Sequence, residues 1–136
     1  GATGYYDTNY QGKAEAALEV LESKDFVFIH VEAPDEAGHN GDLRAKISVI
    51  EKIDQFIVGK ILDYFKGKDN FRILISSDHP TPVCLKTHTA DPVFFAVFGK
   101  GIEKDAVTEF NERSARESQW KFDEGFRLMD FFIKGE

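Results

Sequence analysis

Apolar residues recur at helical spacing in three parts of the chain. The run from Gln11 to Ser23 contains no proline and predicts a helix, and Phe122 to Ile133 predicts a last amphipathic helix. The longer run from Gly41 to Lys66 predicts a long helix with one apolar stripe and charges opposite. The stripe consists of Leu43, Ile47, Ile50, Ile57, Ile61 and Tyr64. The polar segment from Glu103 to Trp120 predicts a loop with a short helix.

Three short apolar runs predict β-strands: Phe26 to Val31, Phe71 to Ser76 and Val93 to Phe98. They are nearly all apolar and β-prone, which is typical of strands covered on both faces of a parallel sheet. The order strand, long helix, strand is a βαβ crossover, so the first two strands are expected to be parallel. The pattern therefore predicts an α/β fold with a largely parallel sheet flanked by helices.

Carboxylates and histidines follow these predicted strands. Asp35 and His39 come after the first strand, Asp78 and His79 after the second, and His88 lies in the segment that leads to the third. Ligands of open α/β sheets bind beyond the carboxyl ends of the strands. The first two pairs are therefore expected to converge at one edge of the sheet.

The backbone around both pairs contains turn residues. Pro34 and Gly38 predict a bent loop that lets Asp35 and His39 turn inward together, and Pro80 predicts a sharp curve directly after the second pair. A single aspartate or histidine in a loop is usually a turn former or a surface group. The agreement between separate segments is what makes a binding site the more specific interpretation.

The residue types define the chemistry of such a site. Five oxygen and nitrogen ligands exceed the four of a tetrahedral zinc ion, and the carboxylate and imidazole mixture suits zinc, manganese or cobalt. Two ions about 4 Å apart would clamp the attacking and leaving oxygens of a phosphoryl transfer. The pattern favours a metal-dependent phosphoryl-transfer site.

Composition restricts the possible partners. A chain of 136 residues with 42% hydrophobic content can bury one core, so residues 1–136 are expected to form a single domain or a domain fragment. A net charge of −7 without a basic block argues against DNA or RNA. A small phosphorylated metabolite fits, because bound cations reverse the local sign of a site. The apolar runs are too short to cross a bilayer and no signal segment opens the chain, which predicts a soluble cytoplasmic protein without a membrane partner.

Three other polar residues receive structural interpretations. His30, within the predicted strand, is expected to be a packed, hydrogen-bonded histidine. Cys84 is the only cysteine and is expected to be a buried structural thiol. Asp54 falls on the apolar stripe of the long helix, where it is expected to pair with a donor in the core.

Four segments together carry a family resemblance. GATGYYDTNYQGKAEAAL, HVEAPDEAGHNGD, SSDHPTPV and THTADPV resemble the cofactor-independent phosphoglycerate mutases of the archaeal type, in the alkaline phosphatase superfamily, and the resemblance covers nearly the whole chain. It implies an alkaline-phosphatase-like three-layer fold. It also implies interconversion of 3-phosphoglycerate and 2-phosphoglycerate through a phosphoserine intermediate.

The resemblance divides the ligands between two divalent ions. It assigns Asp35, His39 and His88 to one metal, and Asp78 and His79 to the second. The serine nucleophile and a further aspartate belong to an N-terminal part of the family's core that matches no segment here. The chain is therefore expected to be the C-terminal, metal-binding portion of the catalytic domain and to be inactive alone.

Other functions share these residues. One alternative is a different phosphotransferase or phosphohydrolase of the same superfamily, since relatives have been assigned as homoserine kinase or phosphonopyruvate decarboxylase. A metal-binding module without catalysis is the other. A sheet without its N-terminal strands would expose an apolar edge, so self-association of the fragment is also expected.

Overall fold

The computed structural model describes residues 3–135, which divide between two compact units. Unit 1 comprises residues up to Lys66 together with Pro80–Ala90, and unit 2 comprises Gly67–His79 and the residues from Asp91 onward. Unit 1 contains α1 (Tyr10–Leu21), α2 (Ala33–Asn40), α3 (Leu43–Ile53), a π-helical turn (Asp54–Val58) and α4 (Gly59–Phe65). Unit 2 contains β1 (Arg72–Ser76), β2 (Phe95–Gly99), α5 (Glu112–Ala115) and α6 (Arg127–Lys134).

Helix α1 confirms the first helix predicted from the sequence. Its N-cap is Asn9, whose side-chain oxygen accepts a hydrogen bond from the backbone N–H of Gly12 at 2.9 Å. One face of the helix is buried in the core of unit 1. That core consists of Tyr10, Ala14, Ala33, Val49 and Ile57, with Tyr6, Ile29, Val31, Ile53 and Ile61 packed against it.

The predicted long helix is also confirmed, as α3, the π-helical turn and α4 in direct succession. It begins after Asp42, whose side chain accepts from the backbone N–H of Ala45 at 2.9 Å. Within the π-helical turn the backbone N–H of Gly59 bonds to the carbonyl of Asp54, which is five residues earlier. The turn therefore contains one residue more than an α-helical turn would.

The extra residue explains why the predicted apolar stripe is wrong in its first half. An inserted residue rotates the helix before it by roughly 100° relative to the helix after it. The buried side chains accordingly recur every four residues, at Val49, Ile53, Ile57 and Ile61. Four residues predicted to lie on the buried stripe are instead exposed: Leu43, Ile47, Ile50 and Asp54. The prediction that Asp54 pairs with a donor in the core is therefore wrong as well.

The segment from Phe26 to Val31, which the sequence predicts to be a strand, forms no strand hydrogen bonds within residues 3–135. A strand is defined by a hydrogen-bonded neighbour, and no segment within residues 3–135 pairs with this one. The side chains still alternate as in a strand. Val27, Ile29 and Val31 are half-buried, whereas Phe26 and Phe28 are exposed.

Unit 2 contains the other two predicted strands, as β1 and β2. They pair antiparallel, with Arg72 opposite Gly99 and Ser76 opposite Phe95. The described residues thus form a mixed chain of helices and one antiparallel pair, without the expected parallel pair. None of the helices within residues 3–135 is long and apolar enough to cross a membrane.

Aromatic side chains hold α6 in unit 2. The ring of Phe122 lies 5.6 Å from that of Phe95 on β2 and 5.4 Å from that of Phe131 on α6. The guanidinium of Arg72 on β1 donates to the last carbonyls of the helix, those of Phe132 and Ile133. The helix itself begins at Arg127, five residues later than predicted, because the residues before it form turns.

Replacing Val49 with alanine tests the buried face of α3. Val49 is 1% exposed, so Val49→Ala removes buried methyl groups and leaves a cavity. We expect the free energy of unfolding to fall by about 2–3 kcal/mol, measured by urea denaturation. Ile50→Ala is the matched control, since Ile50 is 50% exposed and its truncation is expected to change stability much less. Equal losses in both variants would contradict the rotated face.

Candidate metal centre

Asp35 and His39 lie on helix α2, which corrects the expectation of a bent loop. Pro34 occupies the first turn of the helix, where its missing N–H is tolerated, and Gly38 lies within it. The chain reverses only at Gly41, which is left-handed at φ 70°. Because residues four apart share a helix face, Asp35 Oδ2 and His39 Nε2 lie 3.4 Å apart.

His88 reaches the same place from residues 80–90, the second segment of unit 1. This loop is closed on itself, since the backbone N–H of Thr89 donates to the carbonyl of Pro80 at 3.1 Å. His88 Nε2 lies 3.4 Å from Asp35 Oδ1 and 3.0 Å from His39 Nε2. Three of the five predicted ligands are therefore brought together within one unit.

The spacing of these three side chains suits a divalent ion, with one carboxylate oxygen of Asp35 near each imidazole. Metal bonds of about 2.0–2.2 Å place neighbouring ligand atoms roughly 3.0–3.5 Å apart around tetrahedral or octahedral ions, and the three separations fall in that range. One carboxylate with two imidazoles suits a borderline ion such as zinc or manganese. The side chains of Asp35, His39 and His88 are 27%, 39% and 50% exposed, so an ion can enter from solvent.

Thr81 supports Asp35, a role that the sequence pattern does not predict. This buried threonine donates its hydroxyl hydrogen to Asp35 Oδ1 at 2.5 Å, and its carbonyl accepts from the ammonium of Lys46. A carboxylate that is hydrogen-bonded in this way has a defined orientation for a metal. The available signal was a hydroxyl between two prolines, in the run Pro80-Thr81-Pro82.

Gly38 is what lets this loop approach α2. A Cβ at Gly38 would overlap the carbonyl oxygen of Thr81 and lie 2.8 Å from its Cγ2. The two backbones are thus closer than any side chain on this face of the helix permits. Gly38, which predicts a loop in the sequence, is instead the residue of helix α2 that contacts the Thr81 backbone.

Asp78 and His79 belong to unit 2, where they end the segment that follows β1. His79 Nε2 lies 3.6 Å from Asp78 Oδ2, and its backbone N–H donates to Asp78 Oδ1 at 3.0 Å. The adjacent side chains therefore turn toward each other. Their place in a second metal site stays a prediction.

The remaining polar candidates differ from expectation in their exposure. Cys84 and His30 are exposed, so the predictions of a buried thiol and of a packed histidine are wrong. His30 loses its packing because the surrounding segment has no strand neighbour among the described residues. Cys84 lies in a turn of the loop at residues 80–90, where only Thr81 is fully buried.

Comparison with known proteins yields one family match. The sequence profile of the Metalloenzyme superfamily matches residues 1–129. In solved structures, the chain is similar to the PH0037 protein from Pyrococcus horikoshii, with a TM-score of 0.80 and 39% identity. The match covers 86% of this chain and 35% of that one.

Curated relatives carry a more specific name. The chain is 50% identical over 134 residues to a probable 2,3-bisphosphoglycerate-independent phosphoglycerate mutase from Geobacter sulfurreducens, covering 98% of this chain and 34% of that protein. It is 46% identical over 138 residues to the 2,3-bisphosphoglycerate-independent phosphoglycerate mutase of Methanosarcina barkeri, covering all of this chain and 35% of that protein. The chain thus spans about a third of the length of these relatives.

Removing a predicted ligand is expected to weaken metal binding. We expect Asp35→Ala and His39→Ala to raise the dissociation constant for Mn²⁺ or Zn²⁺ by more than about 100-fold, the upper range for loss of an outer-shell partner. Isothermal titration calorimetry measures it. His30→Ala is the control, because His30 is an exposed histidine outside the three-residue cluster. Unchanged binding in the first two variants would contradict the ligand assignment.

Gly38→Ala tests the close approach of the loop to α2. The added methyl must displace the Thr81 carbonyl, so we expect a loss of about 1–3 kcal/mol in stability together with weaker metal binding. Urea denaturation and calorimetry measure the two effects. Gly125→Ala is the matched control, since a Cβ at Gly125 meets nothing within 4 Å. A Gly38 variant that behaves like this control would show that the backbones do not need to be so close.

Proposed function

Because this chain belongs to the Metalloenzyme superfamily, we propose that it is the metal-binding portion of a 2,3-bisphosphoglycerate-independent phosphoglycerate mutase. The full-length enzyme interconverts 3-phosphoglycerate and 2-phosphoglycerate through a phosphoserine intermediate. The observation that carries the proposal is the convergence of Asp35, His39 and His88. It occurs in a chain that is 46–50% identical, over almost its whole length, to relatives with that name.

In this proposal the five candidate residues hold two divalent ions. Asp35, His39 and His88 bind one ion, and Asp78 and His79 contribute to the second. Divalent ions of manganese, zinc or cobalt would supply Lewis-acid stabilisation of the charge on a phosphoryl group in transfer. Thr81 keeps the Asp35 carboxylate oriented through its hydroxyl.

The charge of the centre explains how an acidic chain can accept an anionic substrate. The chain has a formal net charge of −7, which by itself repels a phosphorylated metabolite. At the three-residue cluster, however, Asp35 is the only anionic ligand, because His39 and His88 bind metals as neutral imidazoles. A divalent ion held there leaves a net positive site. The proposed substrate is accordingly a small phosphorylated metabolite of the cytoplasm and not a nucleic acid.

The nucleophilic serine is proposed to lie in the part of the enzyme that this chain does not cover. Ser76, at the end of β1, is a poor candidate because its hydroxyl is engaged with backbone: it donates to the carbonyl of Ser77 at 2.9 Å and lies 3.4 Å from that of Phe94. A hydroxyl bonded in this way has a structural role.

We also propose that residues 26–31 are a strand of a larger, largely parallel sheet in the full-length protein, as in the three-layer alkaline-phosphatase-like fold. The alternation of half-buried and exposed side chains supports this. Ile29 and Val31 pack against the core of unit 1, while the ring of Phe28 is 75% exposed. Phe26 on the same side is 48% exposed, and apolar side chains exposed together in this way are typical of a surface that another part of the protein covers.

The activity proposal is tested on the full-length protein that contains this chain. We expect turnover of 3-phosphoglycerate in the presence of Mn²⁺ or Zn²⁺, followed by coupling the 2-phosphoglycerate formed to enolase. Asp35→Ala and His88→Ala are expected to lower kcat/KM by at least about 100-fold, since both remove a candidate ligand. Chelation of the metal should abolish turnover.

Gly125→Ala serves again as the control and should retain activity, since an added Cβ there meets nothing within 4 Å. Homoserine with ATP is the competing substrate pair to assay in parallel. If the protein turns over homoserine and ATP but not 3-phosphoglycerate, its function is that of another phosphotransferase of the superfamily and not that of a mutase. Metal binding without turnover of any phosphorylated substrate would reduce the function to a binding module.

A further inference from the structure

Lys86 has a backbone conformation that its residue type does not favour. Its φ is 56°, and it is the one non-glycine residue with positive φ within residues 3–135. This left-handed region costs a residue with a Cβ roughly 1–2 kcal/mol, and lysine has no short polar side chain to compensate. Such a conformation persists only where the surroundings determine it.

The surrounding turn accounts for the position of Lys86. The backbone N–H groups of Leu85 and Lys86 both donate to the carbonyl of Pro82, at 3.0 and 2.9 Å. The turn is thus closed in the way that a left-handed residue closes the end of a helix. The left-handed φ then directs the Lys86 carbonyl out of the turn, where its oxygen lies 3.1 Å from His39 Nδ1 on α2.

This contact determines which nitrogen of His39 carries the hydrogen. A carbonyl oxygen can only accept, so the bond requires a hydrogen on Nδ1. In the neutral imidazole the lone pair is then on Nε2. That is the nitrogen that lies 3.4 Å from Asp35 Oδ2 and 3.0 Å from His88 Nε2. The tautomer and the ring orientation both present Nε2 to the candidate centre.

The side chain of Lys86 makes a separate contact. Its stem lies against Gly41, where an added Cβ would overlap Lys86 Cε and lie 2.9 Å from Nζ. The ammonium is therefore beside the C-terminal end of α2, a favourable place for a positive charge. This contact does not require a left-handed backbone at Lys86, so the backbone and the ammonium can be tested independently.

We propose that Lys86 is a positioning residue whose left-handed backbone aims its carbonyl at His39 Nδ1 and so fixes the metal-binding tautomer of that histidine. The inference rests on the proposed metal centre for its purpose. The tautomer itself is a property of the metal-free chain. The sequence gives no sign of it, because neither φ nor a carbonyl direction is encoded in residue type at this position.

The test uses three substitutions that all remove the ammonium. Lys86→Gly and Lys86→Asn accept the left-handed conformation, whereas the β-branched side chain of Lys86→Val disfavours it. The first readout is the pair of imidazole ¹⁵N chemical shifts of His39 in the metal-free chain, at a pH where the ring is neutral. We expect the Nδ1–H form in the wild type and in the Gly and Asn variants, and a shift toward Nε2–H in the Val variant.

The second readout is affinity for Mn²⁺ or Zn²⁺ by calorimetry. We expect a 10–100-fold loss for Lys86→Val, the range seen when an outer-shell partner of a metal-binding histidine is removed, and a change of only a few-fold for Lys86→Gly. If Lys86→Val does not fold, Lys86→Ala replaces it, because alanine also disfavours this φ relative to glycine.

Two outcomes would overturn the inference. One is an unchanged His39 tautomer in a folded Val or Ala variant. The other is an equal loss of affinity in the Gly and Val variants, which would assign the effect to the ammonium. If no variant and no wild-type chain binds metal while the tautomer still follows the backbone of residue 86, the proposed function fails and the positioning role of Lys86 remains.

Discussion

The contact of residues 80–90 with helix α2 is the constraint on which the candidate centre depends. Two residues of the loop contact two glycines of α2. Thr81 lies against Gly38 within the helix, and Lys86 lies against Gly41 at its C-terminal end. Each contact also involves a hydrogen bond to a candidate ligand, because the Thr81 hydroxyl bonds to Asp35 and the Lys86 carbonyl lies at hydrogen-bond distance from His39. Steric fit and ligand orientation therefore come from the same pair of contacts.

Long periodic patterns were predictable from the sequence. Helix α1 and the helix that begins at Leu43 follow from apolar spacing over three turns or more, where local preference and burial agree. The π-helical turn was not predictable, since one extra residue leaves composition and spacing almost unchanged. The segment at residues 26–31 has the composition of a strand, but pairing depends on a neighbour that local sequence does not specify.

The candidate ligands were predictable for a reason that was partly wrong. Proline and glycine usually mark a bent loop and predict one around Asp35 and His39. A proline in the first turn and a glycine at a close contact are nevertheless both compatible with a helix, as α2 shows. The prediction of a metal site depends on the carboxylate and imidazole side chains, so the incorrect backbone prediction does not affect it. Thr81 and Lys86 were missed because their roles depend on a hydroxyl direction and on a backbone angle, and neither has a hydropathy signature.

Unit 1 is made of two separate pieces of chain, and this has a consequence for the order of folding. The chain leaves the unit after Lys66 and returns at Pro80, so His39 and His88 meet across 49 positions of sequence. Helix α2 emerges from a ribosome well before its partner loop does. An ion that binds all three residues would close this long loop and stabilise the folded unit by mass action. Metal supply during synthesis would thereby be coupled to completion of the unit, because the nascent α2 carries only two of the three candidate ligands until His88 is synthesised.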